Sequence, residues 1–86
     1  MMKMTKYDLV SIVWHDAHSD LRWTEIEEVD SEPYVVTSVG FLLPKAKKGH
    51  HSIGQSLGAE GFADSILHIP NKMIVSSTII TPADSV

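Results

Sequence analysis

The chain has no cysteine. Disulfides and thiolate metal ligands are therefore excluded, and nothing staples the fold covalently. No stretch approaches the roughly 18 apolar residues that a membrane span needs. The opening "MMKMTKYDLV" carries two lysines and no long apolar run, so it does not read as a signal peptide. The expectation is a cytoplasmic protein with no membrane partner. Basic residues are also in the minority, seven Lys and Arg against eleven Asp and Glu, for a net charge of −4. Generic nucleic-acid binding draws its affinity from clustered Lys and Arg against phosphates, so no nucleic-acid partner is expected.

What is present is an 86-residue chain that is 43% hydrophobic, a globular composition with room for one small domain over residues 1–86. Its ordered core is expected over residues 7–80, with frayed ends. Domains of this size sit near the stability limit, so a shared interface in a homo-oligomer is expected as well. The charges are segregated. Glu25, Glu27, Glu28, Asp30 and Glu32 fall within eight residues, and Lys45, Lys47 and Lys48 cluster elsewhere. The plain reading is two solvated loops. The sharper one is a complementary contact between neighbouring subunits.

"YDLVSIVW" (7–14) is apolar and β-branched and reads as a first strand, with Val10, Ile12 and Trp14 on one face and Leu9 and Val13 on the other. A polar stretch, 15–33, ends at Pro33 and leads into "YVVTSVGFLL" (34–43), the longest β-type run. There Val35, Thr37, Val39, Phe41 and Leu43 share one face. Tyr34, Val36, Ser38, Gly40 and Leu42 share the other. Gly40 inside a strand suggests a bulge, or a bend where another backbone comes close.

"PKAKKG" (44–49) reads as a turn, and "HHSIGQSL" (50–57) as a strand with His51, Ile53, Gln55 and Leu57 on one side. "GAEG" (58–61) reads as a hairpin connection whose glycines take positive φ. "FADSILHI" (62–69) is its partner strand, "PNKM" (70–73) one 3₁₀ turn, and "IVSSTII" (74–80) a closing strand. That order resembles an SH3-like or Sm-like five-stranded barrel, with a long first loop and one 3₁₀ turn before the last strand. Closure would remove the free edges of a short all-β chain. An open sheet with a short helix inside 19–31 is the competing arrangement, since "SDLRWTEIEEVD" offers Ser19 as an N-cap and Leu21, Trp23 and Ile26 as an apolar face.

The string Asp16-Ala17-His18-Ser19-Asp20 is similar to a manganese-ligand motif of arginase-type ureohydrolases. Such an enzyme gathers ligands from several strand ends of a large α/β sheet, and this chain is far too short for one. If the first strand continues through residue 16, His15 and Asp16 point to opposite faces and cannot chelate together. No metal and no cofactor are expected, and a small metal-dependent hydrolase using Asp16 and His18 is disfavoured. His50, His51 and His68 read as half-exposed strand residues. Nothing resembles a nucleophile elbow, an oxyanion loop or a phosphate-binding glycine loop. The chain is not expected to be an enzyme.

Trp14 and Trp23 bracket a loop that also carries Asp16, His18 and Ser19. Aromatics beside a few hydrogen-bonding groups are the usual lining of a ligand groove, whereas the plain reading packs both indoles in the core. The runs "VWHDAHSDLRWTEIEEV", "VVTSVGFLL", "GHHSIGQSL" and "ILHIPNKMI" resemble a family of short uncharacterised bacteriophage and prophage proteins, over about residues 8–80. The resemblance implies a small phage-encoded product acting in the host cytoplasm by binding. The polar and aromatic positions of those runs, Trp14, Asp16, His18, Ser19, Trp23, Ser38, Gln55 and Ser56, are the candidate ligand-binding residues. The leading expectation is an oligomeric protein that sequesters a small polar, nucleotide-type ligand of the host's defence signalling. The alternative is an inhibitor that grips a host protein through the Trp23 loop.

Overall fold

The computed structural model describes residues 6–16, 25–28 and 34–83. They form five strands: β1 (Leu9–Asp16), β2 (Tyr34–Leu43), β3 (His50–Leu57), β4 (Ala63–Pro70) and β5 (Ile74–Thr81). Three 3₁₀ turns accompany them, at Ile26–Glu28, Ala59–Gly61 and Asn71–Met73. The described residues contain no α-helix and are all-β. Of the competing helix inside 19–31, only the turn at Ile26–Glu28 falls among them. No helix of the described residues is long and apolar enough to cross a membrane.

All neighbouring strands are antiparallel, in the order β4-β3-β2-β1-β5. Alternation in "LVSIVW" sets the inner face. Val10, Ile12 and Trp14 are buried while their neighbours Leu9, Ser11 and Val13 are only partly covered. β1 runs two residues beyond its apolar stretch because β2 supplies partners there, Val35 for His15 and Tyr34 for Asp16. His15 and Asp16 therefore project from opposite faces.

β2 serves two neighbours in turn. Tyr34–Phe41 pair with β1, and only Phe41–Leu43 pair with β3. The hand-over falls beside Gly40. A Cβ there would stand 2.9 Å from the Gly54 carbonyl oxygen and 3.0 Å from the Ile53 Cβ. Glycine is needed at this point because two backbones approach too closely for any side chain. The crossing lets Ile53 of β3 and Ile69 of β4 join Val10, Ile12 and Trp14 in one cluster, with Val36, Leu42, Met73 and Ile74 packed against it.

The turns follow their residues with one exception. Lys45 and Gly49 in the β2–β3 turn take positive φ, as do Glu60 and Gly61 between β3 and β4. Gly58 does not; its φ is −95°. Its N–H instead donates to the Phe62 carbonyl at 2.8 Å, and the left-handed position next to Gly61 falls to Glu60. At the other end of the chain, Asp8 ties two segments together. Its carbonyl accepts from the Leu42 N–H at 2.8 Å and its carboxylate accepts from the Ala83 N–H at 2.6 Å.

The sheet is open where the sequence suggested a closed barrel. β4 and β5 are its two edges and do not pair with each other. The short β2–β3 ladder carries β3 and β4 over the core without bringing β4 into register with β5. The ladder of β5 on β1 is itself interrupted by register shifts between Leu9 and Val10 and between Val13 and Trp14. The core is correspondingly small. Five apolar side chains are buried, while ten large ones stand exposed among the described residues.

Candidate functional site

Of the residues expected to line a ligand wall, the described ones are dispersed over β1, β2 and β3. Trp14 lies in the core, and its indole N–H donates to the Ser38 hydroxyl across β1 and β2 at 3.0 Å. A buried Trp needs such a partner, and this pair satisfies itself. Asp16 closes β1, half-buried, opposite Tyr34. Gln55 and Ser56 are exposed on β3, past the end of its ladder with β2, and Ser56 faces Asp64 of β4. His18, Ser19 and Trp23 lie outside the described residues. The structure thus joins Trp14 to Ser38 and sets Gln55 and Ser56 on a different strand.

A different constellation forms at the end of the sheet where the β2–β3 turn meets the turn Asn71–Met73. The Asn71 N–H donates to the Gly49 carbonyl at 3.0 Å, fastening the two turns together. Within the first, the His50 N–H donates to the Lys47 carbonyl at 3.2 Å. Three imidazoles are held there by their Nδ1 atoms. His50 Nδ1 donates to the Lys48 carbonyl at 2.8 Å, and His51 Nδ1 lies 2.6 Å from Asn71 Oδ1. His68 Nδ1 lies 2.6 Å from the hydroxyl of Ser52. The His50 and His68 rings meet edge to face, 6.4 Å between centroids.

Four lysines join this end, Lys45, Lys47 and Lys48 on one turn and Lys72 on the other, all exposed. No acidic residue occurs between Glu32 and Glu60 or between Asp64 and Asp84. The segments that meet here are therefore wholly basic or neutral, in a chain whose net charge is −4. Glu25 and Glu27, both exposed, belong to the separate turn around Ile26. An end of this kind attracts anions and gives them N–H donors. The Ser52 hydroxyl beside the His68 imidazole is 1% exposed, out of reach of a substrate. Among the described residues no group of three or more His, Cys, Asp or Glu is placed to hold a metal.

The lysine turn and the histidines stand out separately in the sequence, whereas their convergence does not. A hairpin centred on Glu60 puts Ser52 opposite His68, and that register was available from the strand lengths alone. A second feature lies at the far end of the same hairpin. An open groove of about 950 Å³ is lined by Lys6, Tyr7, Leu43, Leu57, Phe62 and Ile66, among others. Of the expected ligand-binding residues, the described ones, Trp14, Asp16, Ser38, Gln55 and Ser56, do not line it. Comparison of the chain with protein-family models, curated proteins and solved structures gives no match.

Proposed function

We propose that this protein acts by binding rather than by catalysis, as a phage-encoded homo-oligomer that sequesters a small anionic ligand of the nucleotide type in the host cytoplasm. The observation that carries the reading is the convergence of Lys45, Lys47, Lys48 and Lys72 with His50, His51 and His68 at one end of an acidic chain. Phosphoryl oxygens are strong acceptors, and clustered ammonium and imidazole donors are the usual means of holding them. Oligomerisation is supported by the imbalance between a five-residue buried core and the apolar side chains left exposed on β2, β4 and β5. On this reading the open sheet is a relative of the SH3-like barrel, with a free edge given over to assembly.

Calorimetric titration with AMP, ADP and inorganic phosphate tests the ligand class. Saturable binding that weakens as salt is raised, and that is lost in Lys47→Ala/Lys48→Ala, is the expected result. The same protein, heat-denatured, should release a phosphate-bearing compound detectable by mass spectrometry. Absence of both signals in the folded wild type would overturn the assignment.

A further inference from the structure

β5 is an edge with no charge or proline to protect it, and its two bulges lie near its ends. Natural edge strands are blunted by lysines, prolines, inward charges or bulges. Residues 74–81 contain no ionisable side chain and no proline. The two register shifts against β1 fall toward its ends and leave Ser76–Ile79 in regular pairing. Val75, Ile79 and Ile80 are each more than half exposed. The other edge differs. β4 carries Asp64, a positive φ of 54° at Ser65, and His68.

The order of residues along β5 supplies the partner. Residues 74–80 read Ile-Val-Ser-Ser-Thr-Ile-Ile, so the same chemistry is met in either direction from Ser77. Two antiparallel copies of one strand are related by a two-fold axis, and such an interface must be self-complementary. We propose that β5 pairs with β5 of a second copy, with Ser77 on the axis, joining two five-stranded sheets into one of ten strands. The inference rests on the reading of the protein as a homo-oligomer and specifies its geometry.

In that register Ser76 lies opposite the partner's Thr78, Val75 opposite the partner's Ile79, and Ile74 opposite the partner's Ile80. Directly opposed residues share a face, so hydroxyls meet hydroxyls at the centre and branched apolar side chains meet on either side. No like charges are opposed. A shift by one residue would set Ser76 against Ile79 and Ile74 against Thr81, mixing polar with apolar in those two pairs while Val75 still met Ile80. The sequence therefore selects the register as well as the strand.

Because the chain has no cysteine, Ser77→Cys is a single-thiol reporter at the axis. Opposed residues in an antiparallel pair have Cα atoms about 4.5–5.5 Å apart, within disulfide range. Mild oxidation should convert Ser77→Cys into a covalent two-chain species, with the circular dichroism spectrum unchanged. Ser77→Lys sets two ammonium groups facing one another and should weaken the dimer at least about tenfold in sedimentation equilibrium. Ile66→Lys on β4 should leave the mass at two chains. A wild-type oligomer that Ile66→Lys dissociates, while Ser77→Cys fails to cross-link, would overturn the β5 pairing and leave the homo-oligomer standing. So would a closed assembly larger than two chains. A strictly monomeric wild type at about 100 μM would overturn both, since specific interfaces hold at micromolar concentration.

Discussion

The Ser52 hydroxyl lies 2.6 Å from Nδ1 of His68, across the β3–β4 ladder, and Ser52 is the one buried polar side chain among the described residues. Its two ends are unequal. His68 is exposed and can turn to water, whereas Ser52 cannot. Removing the imidazole should therefore cost more than removing the hydroxyl. We expect Ser52→Ala to lower stability by about 1 kcal/mol and His68→Ala by about 2 kcal/mol, because only the second strands a buried polar group. The double variant should fall no further than His68→Ala. Urea midpoints across the four proteins measure this cycle, and equal single-variant costs would contradict it.

Gly40 and Gly49 separate steric need from conformational need. At Gly40 a methyl group meets the Gly54 carbonyl and Ile53, and Gly40→Ala should destabilise by about 1–3 kcal/mol through overpacking. For a domain of this size that is a fall of roughly 4–8 °C in melting temperature per kcal/mol. Gly49 has open space around it but a φ of +75°. Gly49→Ala should cost about 1–2 kcal/mol through backbone strain alone. Thermal melts with the two variants side by side check the ranking.

Trp14 distinguishes a packing role from a recognition role. It is 9% exposed and bonded to Ser38, so Trp14→Ala should cost about 3–5 kcal/mol, enough to threaten the fold. Trp14→Phe keeps most of the ring and loses the hydrogen bond, so a loss of about 1 kcal/mol is expected. Ligand affinity of the folded Trp14→Phe protein should stay within a factor of two of wild type. A larger loss with an unchanged denaturation midpoint would restore Trp14 to the binding surface.

Charge reversal at the basic end should act on binding and leave the fold alone. Lys47→Glu with Lys48→Glu alters two exposed turn residues, and such changes shift stability by no more than about 0.5 kcal/mol. AMP or phosphate affinity should drop beyond detection in the same protein. A stability loss matching the binding loss would show that the lysines serve the turn instead.

Much of the sheet was legible in the sequence because its signals are local. Alternation from Leu9 to Trp14, the Pro-to-Gly turn after Leu43 and the three-residue turn before Ile74 each depend on a handful of neighbours. What was not legible depends on partners far along the chain. His15 and Asp16 are strand because Val35 and Tyr34 pair with them, not through any propensity of their own. Whether β4 meets β5 is decided by where β2 changes partners, and the Gly40 signal announces a close approach without its consequence for closure. For the site, the lone histidines and the lysine run were visible, but the Asn71–Gly49 bond that gathers them is a tertiary event. Trp14 could be read as a groove aromatic or as core, and its bond to Ser38 is again a contact between strands that the sequence does not announce.

The bond from the Ala83 N–H to the Asp8 carboxylate spans 75 positions of chain. β1 and β5 therefore meet only after nearly the whole polypeptide has been looped, at an entropic cost that must be met before the contact stabilises anything. The β3–β4 hairpin faces no such delay, since its strands are joined by a five-residue connection. Sequence separation therefore favours assembly from that hairpin outward, with β5 the last strand to lock. Until it does, the inner strand β1 is itself an open edge. The vulnerable moment of this small protein is therefore late in its folding, and anything that hurries β5 home guards it against sticking to its neighbours.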